Sequence, residues 1–526
     1  MIQAISHLFR LGRAGFVLAR EGVFGLIDPA PLPPHLRLLL RAARLIERPT
    51  ATDGGRRLST ALTALGPTYV KLGQFLATRP DVVGPVLARD LESLQDKMPP
   101  FGQAEAVVAA AFDRKLSDLF VSFGPAVAAA SIAQVHRATI RRAAGEIPDG
   151  LRDVAVKVLR PGSEARFKVD LAAFDFVARK AEAFSAEARR LRLIEVVDTL
   201  ARSVALEMDL RLEAAALSEM AENIKDDPDF RVPAVEWELT ARNVLTLAWI
   251  DGTPLTDRAA LTARGLDLAQ LGRAVIQSFL RHALRDGFFH ADMHPGNLFV
   301  DREGRLVAVD FGIMGRLGPK ERRFLAEILL GFITRDYQRT AEVHFEAGYV
   351  PAHHSVASFA QAIRAIGEPI HNRTAEDISM AKLLTLLFEV TGLFDMRTRP
   401  ELLLLQKTMV VVEGVARTLD PRLDMWTTAE PVVRDWIGRN FGPAGRLEGA
   451  VRGAGEIGHF LAGVPGLLTR ASRIAEQIEE ATSQGMVLAP ETVAAIGKAI
   501  RRFERWRIIA LWMIVALLAI LILEMR

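Results

Sequence analysis

The spacing of apolar positions changes several times along the chain, and each change marks a new kind of element. From Met1 to Asp28 apolar residues recur at helical spacing, interleaved with Arg10, Arg13 and Arg20, without the continuous apolar block and cleavage site of a secretory signal. Pro31, Pro33 and Pro34 end that pattern. An amphipathic helix of this kind either lies on a membrane surface or packs on the protein itself, and its Arg-rich composition is also that of a mitochondrial presequence. Residues 56–120 read as helices, punctuated by Gly66-Pro67 and Pro99-Pro100. Short runs rich in Val and Ala from 121 to 160 predict strands. Helices return from 165 to 225, strands near 232–250, helices at 265–288 and a second β-rich stretch at 297–310, after which the chain reads as helical. A small sheet among many helices is an α+β layout, not alternating βα units.

The last apolar run, Ile508 to Leu523, is sixteen residues long, about 24 Å as a helix against a hydrocarbon thickness of about 30 Å. Trp506 and Trp512 stand near its start, preceded by Arg501, Arg502, Arg505 and Arg507. The expectation is a C-terminal transmembrane helix that tail-anchors the chain in the cell inner membrane, main body cytoplasmic by the positive-inside bias; the alternative is a buried terminal helix. The glycine-dense stretch 442–466 reads as a flexible connection. It contains Gly453-Ala454-Gly455-Glu456-Ile457-Gly458, but no strand precedes this match to the dinucleotide fingerprint.

Composition narrows the function. Half the residues are hydrophobic and a quarter charged, and a mean hydropathy of +0.17 is high for a wholly soluble protein. A net charge of only +3 gives no sign of a nucleic-acid partner held by phosphate neutralisation. With no cysteine, disulfides, zinc ribbons, iron–sulfur clusters and thiol nucleophiles are excluded, and any metal sits on oxygen or imidazole ligands, as magnesium does.

The chemistry concentrates in His290-Ala291-Asp292-Met293-His294-Pro295-Gly296-Asn297, then Leu298-Phe299-Val300, a turn at Asp301-Arg302-Glu303-Gly304, and Leu306-Val307-Ala308-Val309-Asp310-Phe311-Gly312. Two apolar runs around a polar turn predict a hairpin, and antiparallel pairing sets Asn297 next to Asp310. With Asp292 nearby, that oxygen set suits a magnesium ion carrying nucleotide phosphates. An Asp five residues before an Asn, then a hairpin, then Asp-Phe-Gly, is similar to the catalytic loop and metal-binding segment of protein kinases. Upstream, Asp153-Val154-Ala155-Val156-Lys157-Val158 resembles the kinase strand whose Lys grips the α and β phosphates. Candidate carboxylate partners lie in Leu206-Glu207-Met208-Asp209-Leu210-Arg211-Leu212-Glu213. On one continuous helix Asp209 and Glu213 share a face and Glu207 points away, which leaves room for two cationic partners. The segment before Lys157 is Val127-Ala128-Ala129-Ala130-Ser131-Ile132-Ala133-Gln134-Val135, alanines standing where a Gly-rich phosphate loop is expected. Each Cβ limits how closely backbone amides approach phosphates, and ordinary kinase activity is disfavoured.

Tyr69-Val70-Lys71-Leu72-Gly73-Gln74, the Ala-Ala-Ala-Ser loop, Glu207-x-Asp209 and the His-x-Asp-x-His-Pro-Gly-Asn segment together resemble the UbiB (ADCK) family of atypical kinase-like proteins, over about residues 60–320. The resemblance implies a bilobal atypical protein-kinase-like fold with a helical N-terminal extension, a helical C-terminal region and a terminal membrane segment. The boundaries expected are an amphipathic segment at 1–55, the extension at 56–120, the core at 121–340, a helical region at 341–500 and the anchor at 506–525. It implies that Lys71 lies on an extension folded over the active site and pairs with Glu207, and that Glu213 pairs with Lys157. It also implies ubiquinone biosynthesis and ATPase activity; the family's older label is polyprenylphenol hydroxylase. Some members carry two terminal membrane helices where this chain shows one run.

The expected cofactors are ATP and Mg2+, with Lys157 on the phosphates, Asn297 and Asp310 on the metal, and Asp292, with Lys71, in the catalytic role. Residues 127–135, Glu207, Asp209 and Glu213 complete the nucleotide-site candidates. No Ala-Pro-Glu follows Gly312, so a peptide-substrate groove is not evident. Rival readings are a true kinase acting on a protein or small lipid and a nucleotide-binding scaffold. Direct hydroxylation needs flavin or redox iron, for which no fingerprint stands in the sequence. Expected partners are a membrane lipid or quinone precursor and other ubiquinone biosynthetic enzymes.

Overall fold

In this computed structural model the described residues are 2–26, 57–77, 98–141, 150–369 and 400–441, with shorter pieces between 37 and 48, 83 and 94, and 390 and 396. The expected anchor at 506–525 and the glycine-dense 442–466 lie outside them. No helix among the described residues is long and apolar enough to cross a membrane. The chain divides into compact units Met1–Gly438 and Arg439–Arg526, and of the second only residues 439–441 are described.

The strands are β1 (Ser122–Ala129), β2 (Ala133–Arg141), β3 (Leu151–Leu159), β4 (Phe230–Arg231), β5 (Val244–Ala248), β6 (Thr253–Pro254), β7 (Phe288–His290), β8 (Leu298–Val300), β9 (Leu306–Ala308) and β10 (Met314–Arg316). The first lobe is the antiparallel sheet β1-β2-β3-β5. Along β3, Val154, Val156 and Val158 are fully buried. Because strand side chains alternate, Lys157 points to the opposite face. The valine face packs on Ala104 and Val108, on the helix Ala104–Phe112 that precedes the sheet.

The helices are α1 (Ile2–Arg20), α2 (Arg57–Leu65), α3 (Pro67–Ala77), α4 (Ala104–Phe112), α5 (Leu116–Leu119), α6 (Ser163–Phe184), α7 (Ala186–Leu191), α8 (Leu193–Glu207), α9 (Leu210–Asn223), α10 (Arg258–Ala263), α11 (Leu268–Arg281), α12 (Pro319–Thr334), α13 (Tyr337–Glu346), α14 (Val356–Gly367), α15 (Pro400–Leu419) and α16 (Met425–Phe441). The second lobe is built around α11, capped by Asp267 accepting from the Gln270 amide. Its stripe Leu271, Val275, Ile276, Phe279 and Leu280 is buried with Leu405, Val412, Val415 and Leu419 of α15. The main core therefore does not stop at residue 340: α15 and α16 share it, and only α13, α14 and Phe394 form a separate small cluster. Apolar periodicity shows that a helix buries a face, not which neighbour covers it.

The N-terminal helices dock on the first unit's flank. Arg10 pairs with Asp170 at 2.6 Å, and the Thr68 hydroxyl donates to the same carboxylate at 2.8 Å. Tyr69 meets Phe174 edge-on, with ring centroids 5.1 Å apart. Ala14 is buried in one cluster with Leu62, Leu65 and Val70. From Arg10 onward α1 thus packs on the protein, one of the two readings its pattern allowed.

Below the sheet, α11 ends in a wide turn, His282–Asp286, closed by Gly287 at φ +65°. Gly287 leads directly into β7, which pairs antiparallel with β10. A Cβ on Gly287 would run into the Leu317 carbonyl oxygen, and a left-handed φ costs an L-residue about 1–2 kcal/mol before any clash. Gly287→Ala is expected to lower the unfolding free energy by more than about 1 kcal/mol, read from the denaturant midpoint at unchanged slope; a midpoint equal to wild type would show that this turn tolerates a side chain.

Candidate active site

β8 and β9 pair in the register Leu298↔Ala308, Phe299↔Val307 and Val300↔Leu306, and the Val309 amide donates to the Asn297 carbonyl at 2.9 Å. The sequence-predicted hairpin is present, with Asp310 one residue beyond the position facing Asn297. Asp301 closes its turn, accepting from the Arg305 amide at 2.8 Å and the Arg305 guanidinium at 2.7 Å. The Asn297 side-chain amide donates to the Asp292 carbonyl at 3.1 Å. None of its described bonds uses Oδ1, the atom a metal would take.

Lys157 reaches across from β3. Its Nζ donates to both Glu213 oxygens at 2.9 Å and to Asp310 Oδ1 at 2.6 Å. Three segments separated by up to 153 positions in sequence thus meet at one ammonium. Burial works to depress the Lys157 pKa, but the charges of Asp310 and Glu213 outweigh it and raise it. The Lys157 charge holds the Asp310 carboxyl down to about 2 against burial, and Lys71 contributes in the same direction. Burial raises Glu213, assisted by the like charge of Asp310 and opposed by Lys157. Glu213 and Lys157 are nearly enclosed, whereas the Asp310 side chain is 51% exposed, so the cluster opens toward solvent on the Asp310 side. Asp310 itself stands at φ +63°, a left-handed conformation that Asp and Asn tolerate better than most residues.

His290 supports the segment from beneath. Its Nε2 lies 3.0 Å from the Val309 carbonyl, while the Asp292 amide donates to Nδ1 at 3.0 Å. Those partners require hydrogen on Nε2 and a lone pair on Nδ1, a neutral ring, and burial lowers the His290 pKa accordingly. Thr408 of α15, fully buried, donates to the Ala291 carbonyl at 3.1 Å. His290 stood within the sequence motif without an assigned role. Thr408 carries no sequence signal at all, because its partner is a backbone carbonyl more than a hundred residues away.

Lys71 of α3 pairs with Glu207 at 2.6 Å, both side chains mostly enclosed at 14% and 13% exposure. Gly73 lets α3 pack closely within the extension: a Cβ there would sit 2.5 Å from Leu94 and 2.6 Å from Leu62 methyls. Glu207 and Glu213 do serve two different lysines, but not from one continuous helix. α8 ends at Glu207 and α9 begins at Leu210, with Asp209 as its N-cap accepting from the Arg211 amide at 3.2 Å. The single-helix expectation for 206–213 is therefore corrected. Asp209, expected at the nucleotide site, spends its carboxylate on this cap and on the Arg211 guanidinium at 2.7 Å. An aspartate whose short side chain competes for backbone amides interrupts a helix readily.

The alanine segment is a hairpin. Val127, Ala128 and Ala129 end β1, Ala130, Ser131 and Ile132 turn, and Ala133, Gln134 and Val135 open β2. Ser131 is fully buried. Arg160 donates to the Pro99 carbonyl at 2.9 Å and the Ala130 carbonyl at 3.3 Å, and the Met98 amide to the Ala129 carbonyl at 3.2 Å. Gln134 exchanges two hydrogen bonds with the Phe101 backbone, at 2.8 and 3.0 Å. Gln134 is thus a tether for the chain before α4 and is not turned to the cleft.

A sheet whose third strand carries a lysine paired to a helix glutamate, standing over a helical lobe that presents His-x-Asp and Asp-Phe-Gly, is the architecture of a protein-kinase-like protein. Residues 93–344 match the ABC1 atypical kinase-like domain, and residues 363–424 match the UbiB helical domain. A protein of Marinobacter nauticus named "Probable protein kinase UbiB" is 38% identical over 453 residues, covering 84% of this chain and 81% of its own. Its namesake in Azotobacter vinelandii is 39% identical over 450 residues, covering 84% and 82%. The solved Rv3197–erythromycin complex of Mycobacterium tuberculosis superposes with a TM-score of 0.50 at 24% identity, over 76% of this chain and 97% of that one, a likeness of fold. The chain belongs to the UbiB family of atypical kinase-like proteins.

The sign of the Asp310 shift sets an acid limb. A carboxyl at about 2 in the folded chain and about 3.9 unfolded contributes stability that is complete above pH 4 and lost as pH falls from about 4 to about 2. Asn suits the same backbone, so Asp310→Asn is expected to fold and to flatten the slope of unfolding free energy against pH in that window. Equal slopes in wild type and variant would mean that Lys157 does not hold this carboxylate.

Proposed function

We propose that this protein binds Mg-ATP in the cleft bounded by Lys157, Asp292, Asn297 and Asp310, hydrolyses it, and by that turnover supports ubiquinone biosynthesis at a membrane. The observation carrying the reading is the convergence of Lys157, Glu213 and Asp310 at 2.6–2.9 Å on the side of the cluster that opens to solvent. The donor set suits magnesium: Asp310 is held ionised and half-exposed, and Asn297 has its amide oxygen outside its described hydrogen bonds. A bound magnesium ion would neutralise phosphate charge and align the transferred group.

Lys157, oriented by Glu213, would turn toward the α and β phosphates the hydrogen it gives to Asp310. Asp292 would orient the nucleophile or take its proton, at a position fixed by His290 from below and by Asn297 from the side. The neutral His290 ring adds no charge that competes for the nucleotide. Lys71 is poised to answer the charge that develops there, since its field already reaches Asp310.

Hydrolysis is favoured over peptide phosphorylation by the route of the chain after Asp-Phe-Gly. Met314–Arg316 is already β10, paired with β7, and α12 begins at Pro319. No long loop remains there to shape a peptide groove. The alanine hairpin, fastened by Arg160, Met98 and Gln134, likewise supplies a fixed roof in place of a mobile glycine-rich flap. Membrane attachment rests on the apolar run 508–523, and the biosynthetic role on the name carried by the relatives.

Purified full-length protein is expected to hydrolyse ATP only with magnesium, and faster with vesicles and a phenolic quinone precursor. Lys157→Ala should weaken nucleotide binding at least tenfold, about 1.4 kcal/mol; transfer of label to a separate acceptor, lost in Asp292→Asn, would instead make the protein a kinase. A deletion strain is expected to be depleted of ubiquinone, and normal quinone levels would defeat that assignment. Lys71→Ala is expected to change turnover or nucleotide preference, and kinetics identical to wild type would remove Lys71 from the site.

A further inference from the structure

A second cluster of ligand-type side chains stands at the surface beside the small separate core of α13, α14 and Phe394. His353 and His354 sit side by side in the loop before α14, their rings 4.1 Å apart. Both direct Nε2 at one oxygen of Asp395, at 3.8 Å from His353 and 3.3 Å from His354. The three donor atoms lie within 4.8 Å of one another.

Two accounts of this spacing are a hydrogen bond and a shared cation. A hydrogen bond from an imidazolium to a carboxylate closes to about 2.7–2.9 Å. Two ligands at about 2.0–2.1 Å from one tetrahedral ion stand roughly 3.3 Å apart. The His354–Asp395 separation, 3.3 Å, is a long hydrogen bond and also the spacing of shared ligands, and the His353–Asp395 separation exceeds that spacing by about half an ångström. Asp395 is held in place for this by a left-handed backbone, φ +46°, and by its neighbour Phe394, which is buried against Phe359 at 5.0 Å and meets the His354 ring at 5.3 Å.

We propose that His353, His354 and Asp395 bind one divalent transition cation of the zinc class, with water completing a tetrahedral site. Two neutral imidazoles and a carboxylate are the donors such ions prefer over magnesium, and a cysteine-free chain has no thiolate site to compete. The cation joins the loop at 351–355 to the segment at 392–395. It thereby clips together a cluster whose buried hydrophobic set is small, the situation in which a metal staple adds most. The site is distinct from the proposed magnesium position, whose donors are all oxygens.

The test uses tag-free, full-length protein stripped with chelator, to which Co2+ and then Zn2+ are added. Wild type is expected to take up one equivalent of Co2+ with the visible absorption of a tetrahedral ion, to exchange it for Zn2+, and to gain several degrees in Tm. His354→Ala and Asp395→Asn are expected to lose the absorption and the Tm gain, while Asp310→Asn, altered only in the cleft, keeps both. If the His354 and Asp395 variants bind cobalt with the wild-type spectrum, or if Asp310→Asn alone abolishes binding, the assignment is wrong. Absence of any uptake by wild type would overturn it equally.

Discussion

Everything in the cleft depends on an ammonium that is removed from water and neutralised by two carboxylates. Lys157 sits on the inner face of β3 because its valine neighbours, Val154, Val156 and Val158, bury the other face. A buried lysine with no partner would lose its proton, and a buried glutamate with no partner would gain one. Glu213 and Asp310 solve both problems, but unequally. Glu213 is enclosed and belongs to the scaffold, while Asp310 is half-exposed and shared with whatever enters. That asymmetry leaves Asp310 as the member of the cluster that faces solvent.

The same logic recurs in the second layer around it. The Asp292 backbone is fixed by a neutral His290, and the adjoining Ala291 carbonyl by Thr408 from a helix more than a hundred residues later. α15 is therefore part of the catalytic lobe's frame as well as of the core. Lys71–Glu207 ties the N-terminal extension to the end of α8, and Gly73 lets α3 pack closely on Leu62 and Leu94 within that extension. The alanine hairpin, the extension and the β7–β10 ladder are each fastened by their own contacts.

Legibility in the sequence tracked how local each interaction is. The β8–β9 hairpin and its register were readable because a four-residue polar turn between apolar runs leaves little choice. Lys157 was readable because one lysine in a valine strand is conspicuous. Asp209 misled, since helical periodicity treats a run of acidic and apolar residues as one helix and does not weigh the capping strength of a single aspartate. Within residues 127–135, which the sequence offered as the phosphate-loop counterpart, Gln134 and Ser131 turn inward, a choice made by Phe101 and the packing beneath them.

The sequence by itself determined the two motifs, their order and the family, because local turn chemistry and residue spacing are properties of neighbouring positions. Only the tertiary structure decided which carboxylate answers which lysine, that α15 braces the Asp292 segment, and that His353 and His354 face Asp395. Those outcomes rest on contacts between positions 40 to more than 150 apart, selected by burial and electrostatic pairing across the whole fold. No window along the chain contains them.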